Sequence, residues 1–235
     1  MRTRFHQGLD DLKEKLLRMG GLVEQAVERA TDSYRKRDLK LCQAVLDGER
    51  AINLAEREID ELALDLLAMQ QPMAVDLRFI MAVMKINADL ERVGDQAVNI
   101  AQRVMDMATL PPADLPVDIP RMAATSAGMV RRALEAFVEA KPEIAEAVLK
   151  MDDIVDRMDD EIFVRMVEKM HKEPEVTRQA LDALLVARNL ERVADHATNI
   201  AEDVIFWVRG ADVRHRLDDE AGPPEDLQKG KPEVH

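Results

Sequence analysis

The chain has 235 residues, of which 34% are charged and only 3% aromatic, and its formal net charge is −13. This charge argues against non-specific binding to nucleic acid, whose phosphates attract basic proteins. Cys42 is the only cysteine, which rules out an intrachain disulfide and fits a reducing compartment. No apolar run approaches the roughly 18 residues of a membrane span. We therefore expect a cytoplasmic protein with no nucleic-acid partner and no membrane insertion.

Three long helices are predicted before residue 110. Apolar residues recur at three- and four-residue steps from Phe5 to Tyr34, from Leu39 to Met69 and from Ala74 to Met107. Gly20 and Gly21 lie inside the first helix, where each costs about 1 kcal/mol relative to alanine, so we expect a neighbour to pack closely there. The predicted core of the third helix comprises Leu77, Ile80, Val83, Met84, Leu90, Val93, Ala97, Ile100 and Val104.

The same plan follows a second time. Four prolines between residues 110 and 120 cannot lie in a helix interior, so this segment is predicted to be a linker. Helices are then expected from Arg121 to Ala140, from Glu143 to His171 and from Pro174 to Val208. Gly210 is suited to end the last helix, because glycine readily adopts the left-handed conformation found after helix C-termini.

An internal duplication accounts for this plan. Residues 90–104 read LERVGDQAVNIAQRV and residues 190–204 read LERVADHATNIAEDV, with ten of fifteen positions identical. The preceding helix pairs at an offset of 103, as in Ile59 with Ile162. The sequence therefore predicts an all-α fold of two tandem three-helix bundles with six long antiparallel helices. The predicted parts are residues 1–110, a proline-rich linker at 111–120, residues 121–211, and a disordered polar tail at 212–235.

Polar residues recur within the duplicated segments, although packing alone would repeat only the apolar ones. They form stripes spaced by four residues on consecutive helices, and like charges at this spacing destabilise a helix by a few tenths of a kcal/mol. A bound hard cation such as magnesium, manganese, calcium or iron would reverse that effect, because carboxylate and amide oxygens are its preferred ligands. The candidate ligands are Glu49, Asn53, Glu56, Glu91, Asp95, Asn99, Asp152, Asp156, Asp159, Glu191, Asp195 and Asn199.

Other interpretations of these stripes stay open at this point. Acidic residues on a helix surface commonly form only a solvated face, and they can also dock a partner. A metalloenzyme on a helical bundle is a further alternative, but the sequence contains no glycine-rich phosphate loop, nucleophile elbow or HExxH motif. The histidines share no ligand spacing, and we interpret His196, which stands where the first copy has Gln96, as incidental.

The sequence resembles the PhoU family, the accessory and regulatory proteins of phosphate-specific transport. The resemblance rests on NADLERVGDQAVNIA (87–101) and ARNLERVADHATNIA (187–201), and extends to GGLVEQAV (20–27), QQPMAVDLR (70–78) and FWVRGADVRH (206–215). It implies a cytoplasmic regulator without enzymatic activity, commonly a homodimer. Such a regulator couples the phosphate transporter, through its ATPase subunit, to a sensor histidine kinase and represses the phosphate-starvation response. A related accessory protein of a different phosphate carrier is the alternative within this class.

The resemblance also implies sites for iron, manganese, magnesium or zinc, held singly or as multinuclear clusters. The family's E/D-x-x-x-D motif corresponds to Glu91 with Asp95, Glu191 with Asp195, and Asp152 with Asp156. The fourth pair, Glu49 with Asn53, departs from the motif because an amide replaces one carboxylate. With one negative charge fewer, the site in the first repeat is expected to bind a cation more weakly.

Overall fold

The chain folds into long α-helices joined by short connections. A computed structural model describes residues 2–70 and 72–210, and all regular structure in these ranges is helical. The predicted all-α fold with six long helices is confirmed, and the predicted tail at 212–235 lies outside the described residues. The elements are α1 (Arg2–Lys36), α2 (Leu39–Gln70), α3 (Ala74–Ala108), α4 (Ile119–Glu139), α5 (Pro142–Lys172), a 3₁₀ turn (Pro174–Val176) and α6 (Thr177–Arg209).

Local chemistry explains where the helices end. Arg37 (φ 52°) follows α1 and Ala140 (φ 52°) follows α4, and both adopt the left-handed conformation that turns the chain back sharply. Gly210 (φ 69°) ends α6, where its amide donates to the carbonyl of Phe206 at 2.8 Å. Pro142 occupies the first turn of α5, where no amide hydrogen is needed. These tight turns make consecutive helices antiparallel neighbours.

Helix α4 begins two residues earlier than the sequence pattern indicated. Ile119 and Pro120, which we assigned to the linker, form its first turn. The side chain of Asp118 caps this turn by accepting a hydrogen bond from the amide of Arg121 at 3.1 Å. The prolines therefore break the helix only up to residue 118, because a proline in the first turn costs no hydrogen bond.

The segment between α3 and α4 is held by both repeats. From the first repeat, the guanidinium of Arg37 donates to the carbonyls of Met107 and Leu110. From the second, the side-chain amide of Gln179 donates to the carbonyl of Pro111 at 3.2 Å. These bonds provide partners for backbone carbonyls at and just beyond the end of α3. The linker thus lies against the two bundles.

The two bundles share one hydrophobic core. Helices α1–α3 pack together, α4–α6 pack together, and α3 lies against α6 along the centre of the molecule while α1 also contacts α4. The buried apolar side chains of both repeats form a single continuous cluster. At one end of this core, Phe79 of α3, Phe137 of α4 and Trp207 of α6 pack with ring centroids 5.2–5.7 Å apart.

Polar contacts bridge the α3–α6 interface at two places. Nδ1 of His196 donates to Oδ1 of Asp89 at 2.9 Å, and Nδ2 of Asn199 lies 3.3 Å from the same oxygen. Farther along, Nζ of Lys85 lies 3.3 Å from Oδ1 of Asp203, whose side chain is buried. His196, which we interpreted as incidental rather than catalytic, therefore has a structural contact that the sequence pattern did not predict. It joins the two repeats, and the sequence of either repeat alone does not reveal this contact.

Two packing expectations need correction. Leu77, which the periodic pattern placed in the core of α3, is 41% exposed. The expected close approach at the glycine pair occurs only at Gly20, where an added Cβ would lie 2.5 Å from Cδ1 of Leu134 in α4. Gly21 faces open space. A helix turns by 100° per residue, so adjacent residues face different surroundings.

We predict opposite effects for substitutions at these two glycines. Gly21→Ala should raise the free energy of unfolding by roughly 0.5–1 kcal/mol, because alanine favours the helix and the added methyl group meets no atom. Gly20→Val should lower it by about 1–3 kcal/mol, because the branched side chain overpacks the contact with Leu134. Chemical denaturation followed by circular dichroism would measure both. Equal effects at the two positions would contradict this account of the α1–α4 contact.

Candidate metal sites on two acidic faces

The duplicated segments place their apolar and polar residues on different sides of α3 and α6. In both helices the apolar positions of the repeat are buried, as Leu90 and Leu190 illustrate. The neighbouring residues Glu91 and Glu191 are only partly buried, and their carboxylates extend toward α2 and α5 respectively. We call the polar residues of α2 and α3 the first acidic face, and those of α5 and α6 the second acidic face.

In the first acidic face, carboxylates from two helices repel one another. Partial burial, followed by the negative charges of Asp95 and Glu56, raises the pKa of Glu91 above its ordinary value, and Glu49 contributes in the same direction. Burial, followed by the charge of Asp60, likewise raises the pKa of Glu56, to which Asp95 adds. Because these charges come from both α2 and α3, the two rows of the first face lie side by side.

The second acidic face concentrates negative charge more strongly. Burial and the nearby carboxylates of Asp156 and Asp195 raise the pKa of Asp152 to about 6. The pKa of Asp195 is raised by burial and by Asp156, and the pKa of Glu191 is raised by burial and by Asp195. Charges from α5 and α6 therefore act on each other, so this face is also built from two neighbouring helices.

Arg188 is a functional candidate that sequence reasoning missed. Its Nη1 lies 3.2 Å from Oδ2 of Asp159 and 3.2 Å from Oε1 of Glu191, so one guanidinium joins the rows of α5 and α6. The first repeat has Ala88 at the equivalent position. Arg188 precedes Glu191 by three residues, a spacing at which opposite charges on a helix commonly pair, so the ion pair could have been predicted from the sequence. The second face therefore contains an internal cation at one end.

Several oxygens in these faces are buried without a hydrogen-bond partner. They are Oδ1 of Asn53 in the first face, and Oδ1 of Asp152 and Oε2 of Glu191 in the second. An unsatisfied buried oxygen costs about 1–3 kcal/mol, and more when it is charged. A bound cation would supply the missing partner, and oxygen donors are the ligands that hard cations prefer. The chemistry of both faces thus fits a metal ion.

The side chains do not yet form a coordination sphere. Within residues 2–70 and 72–210, no group of three or more His, Cys, Asp or Glu side chains is placed closely enough to hold a metal ion. Asn199 is turned away from α5, because its amide contacts Asp89 in the α3–α6 interface. Asn99 is half-buried at the corresponding position of α3. Carboxylates that repel one another separate, so a cation would have to draw them together by side-chain rotation.

No helix in the described part of the chain is both long and apolar enough to cross a lipid bilayer. The fold and its acidic faces define an all-helical protein made of two copies of one three-helix unit, each with a row of carboxylate and amide side chains on two neighbouring helices. The sequence-family model of the PhoU domain matches this chain twice, at residues 16–104 and at residues 119–204. These two matches coincide with the two bundles.

Comparison with known proteins places the chain among relatives of nearly the same length. It is 38% identical over 215 residues to the phosphate-specific transport system accessory protein PhoU homolog of Pseudomonas aeruginosa, covering 90% of this chain and 88% of that protein. The crystal structure of PhoU from Pseudomonas aeruginosa superposes with a TM-score of 0.84 at 36% identity, covering 88% of this chain and 100% of that one. The crystal structure of the phosphate transport system regulatory protein PhoU from Streptococcus pneumoniae superposes with a TM-score of 0.83 at 26% identity. The superposition covers 89% of this chain and 99% of that one. The chain belongs to the PhoU family.

We predict that replacing Asp152 makes the metal-free protein more stable at neutral pH. The pKa of Asp152 is raised to about 6 in the folded state, so the folded protein binds more protons than the unfolded chain between about pH 4 and pH 6. Stability due to this group therefore falls as pH rises through that window. Asp152→Asn removes the effect and should gain about 1 kcal/mol at pH 7, after allowing for solvent screening at a half-exposed site.

Thermal unfolding in chelator from pH 4 to pH 7.5 would measure this difference. Asp10→Asn is the matched control, because it makes the same charge change at an exposed position of α1, outside both acidic faces. If the stability profiles of Asp152→Asn and the parent ran parallel across this range, the assigned origin of the shift would be wrong.

Proposed function

We propose that this protein is an accessory, regulatory protein of phosphate transport that has no enzymatic activity and binds hard cations at its two acidic faces. The names of its relatives support the role in phosphate transport. The observation that carries the metal proposal is the set of partnerless buried oxygens on Asn53, Asp152 and Glu191, which occur in both copies of the duplicated unit. Such oxygens also occur outside the faces, on Asn87, Gln96 and Asp182, and those of the faces differ in lying among carboxylates whose repulsion a cation would relieve.

The residues of each face have distinct tasks in this proposal. Asp152, Asp156, Asp159, Glu191 and Asp195 would hold the cation of the second face, and Arg188 would fix the orientation of Glu191 and Asp159. Glu49, Asn53, Glu56, Glu91 and Asp95 would hold the cation of the first face. A bound ion would replace mutual repulsion of the carboxylates by attraction to a shared positive charge. Iron, manganese, magnesium and zinc are the candidates, singly or in clusters.

The two faces should differ in affinity. Asn53 stands where Asp156 stands in the second repeat, so the first face has one negative charge fewer among its proposed ligands. Ligand charge is a principal determinant of affinity for a hard cation. The second face is accordingly the tighter site, and it is the better one for testing metal retention.

The regulatory role requires protein partners. We propose that the protein acts in the cytoplasm, as a homodimer, between the ATPase subunit of a phosphate transporter and a sensor histidine kinase, and that it represses the starvation response when phosphate is plentiful. The net charge of −13 supports association with basic protein surfaces. Cation binding at the acidic faces would change the charge of the surface that a partner contacts.

Removing ligands of the second face should remove its metal. We predict that Glu191→Ala combined with Asp195→Ala lowers the metal content per chain, while helicity stays unchanged because neither side chain belongs to the apolar core and alanine favours the helix. Elemental analysis and circular dichroism measure the two quantities. Glu135→Ala with Glu139→Ala is the matched control, since it removes two carboxylates at the same spacing from the exposed side of α4. Equal metal content in the parent and the site variant would refute the second site.

Deleting the gene should release the phosphate-starvation response in phosphate-rich medium. A reporter fused to a starvation-induced promoter measures this, and expression of the intact chain should restore repression. Normal repression in the deletion strain would contradict the regulatory role without bearing on metal binding. The Glu191→Ala/Asp195→Ala variant, expressed in the same strain, then tests whether repression needs the second face.

A further inference from the structure

The outer side of the second repeat contains an apolar groove between α5 and α6. Its volume is about 630 Å³, and its apolar lining comes from Phe163, Leu181, Leu184 and Leu185. Phe163 is 57% exposed, Leu181 48% and Leu185 44%. Contiguous large apolar side chains at a protein surface mark a contact site more often than scattered ones do.

The fold itself does not require this groove to be apolar. At the equivalent positions of the first repeat, Asp60 replaces Phe163 and Lys85 replaces Leu185. Asp60 accepts a hydrogen bond from Asn87 of α3 at 2.9 Å, while Lys85 pairs with Asp203 of α6 across the interface between the repeats. Helices α2 and α3 therefore pack together without apolar side chains at these two positions, so the packing of the repeat does not account for Phe163 and Leu185 at the surface.

The groove continues directly into the second acidic face. Asp159 and Arg188 line the groove, and both also belong to the charged rows, where Arg188 pairs with Asp159 and Glu191. Asp160 adds another carboxylate to the lining. One end of the groove is thus apolar, and the other has a net negative charge, with two carboxylates against the single guanidinium of Arg188. A complementary ligand presents apolar side chains followed by positive charge.

We propose that the α5–α6 groove binds an amphipathic helix of a partner protein, which places apolar side chains on Phe163, Leu181 and Leu185 and a lysine or arginine beside the second acidic face. A ridge of side chains at i, i+4 and i+7 fits a groove between two antiparallel helices. This inference stands on the groove and its charge, and it requires neither metal binding nor a role in phosphate transport.

Charge also distinguishes this occupant from the alternatives. A second copy docked through the same surface would bring two acidic faces together on chains that each carry a net charge of −13. An anionic lipid surface would be repelled by the same carboxylates. A basic amphipathic helix is the occupant for which both halves of the groove are complementary.

The test uses the full chain and a fluorescent synthetic helical peptide that has leucines at i, i+4 and i+7 and lysines at both ends. Binding is measured by fluorescence anisotropy. The variant Phe163→Asp/Leu185→Lys carries the residues of the first repeat, keeps the net charge and should weaken binding by about tenfold or more. The variant Leu64→Asp/Val138→Lys makes the same changes at exposed positions outside the groove and should bind like the parent.

A peptide with glutamates in place of the lysines should bind about tenfold more weakly than the basic one. Equal binding of the two peptides, or equal binding by the groove variant and the parent, would overturn the proposal. So would a change in oligomeric state of the groove variant, since that would identify a second copy as the occupant. Circular dichroism checks that both variants keep the helicity of the parent.

A photo-crosslinking amino acid at position 181 tests the same contact in cells. The proposal expects the crosslinked peptide, identified by mass spectrometry, to come from another protein and to carry apolar residues at helical spacing beside lysine or arginine. A crosslink to this chain, whether to a second copy or to residues 211–235, would overturn it. A crosslink to lipid, or none at all, would overturn it as well.

Discussion

The burial of one apolar stripe on α3 against its copy on α6 is the constraint on which the other features depend. Leu90, Val93 and their counterparts in the second repeat are removed from water along the centre of the molecule. Such burial is the dominant favourable contribution to folding. Because a helix has a fixed angular repeat, burying these positions forces Glu91 and Glu191 to the side of the helix, next to α2 and α5. The acidic faces are thus a geometric consequence of the core.

Each acidic face opposes folding when no cation is bound. Partial burial and mutual repulsion raise the pKa values of Glu91 and Glu56 in the first face, and of Asp152, Glu191 and Asp195 in the second. The shared core offsets this cost, since it stabilises the helices that hold the carboxylates together. Local destabilisation supported by a stable scaffold is typical of sites where ligands bind. This local cost at the repeated polar residues supports the proposed binding of cations there.

The two copies have diverged in ways that give the second repeat additional surface chemistry. Arg188 replaces an alanine and bridges two acidic residues, while Phe163 and Leu185 replace charged residues that are paired in the first repeat. His196 replaces Gln96 and reaches across to Asp89. None of these changes disturbs the shared backbone plan. A duplicated fold can therefore keep its core while one copy gains contacts that the other lacks.

Much of this protein could be predicted from its sequence, because the relevant information is local. Periodic apolar residues determined the six helices, prolines and glycines determined their ends, and the duplicated LERV–D–A–NIA pattern determined the repeat and the rows of polar residues. The outward position of the acidic rows also followed from helical geometry. Residue patterns along one helix contain no information about which other helix lies opposite. That limit explains the errors at Leu77 and Gly21.

Only the tertiary structure decided how the copies meet. The contact of α3 with α6, the bond between His196 and Asp89, the turn of Asn199 away from α5 and the groove beside Phe163 join residues far apart in the chain. The physical reason is that side chains acquire these partners only when helices pack, and packing depends on the shapes of all the surfaces together. The sequence determined the helices and their chemical faces, and the packing determined which faces are covered and which stay open.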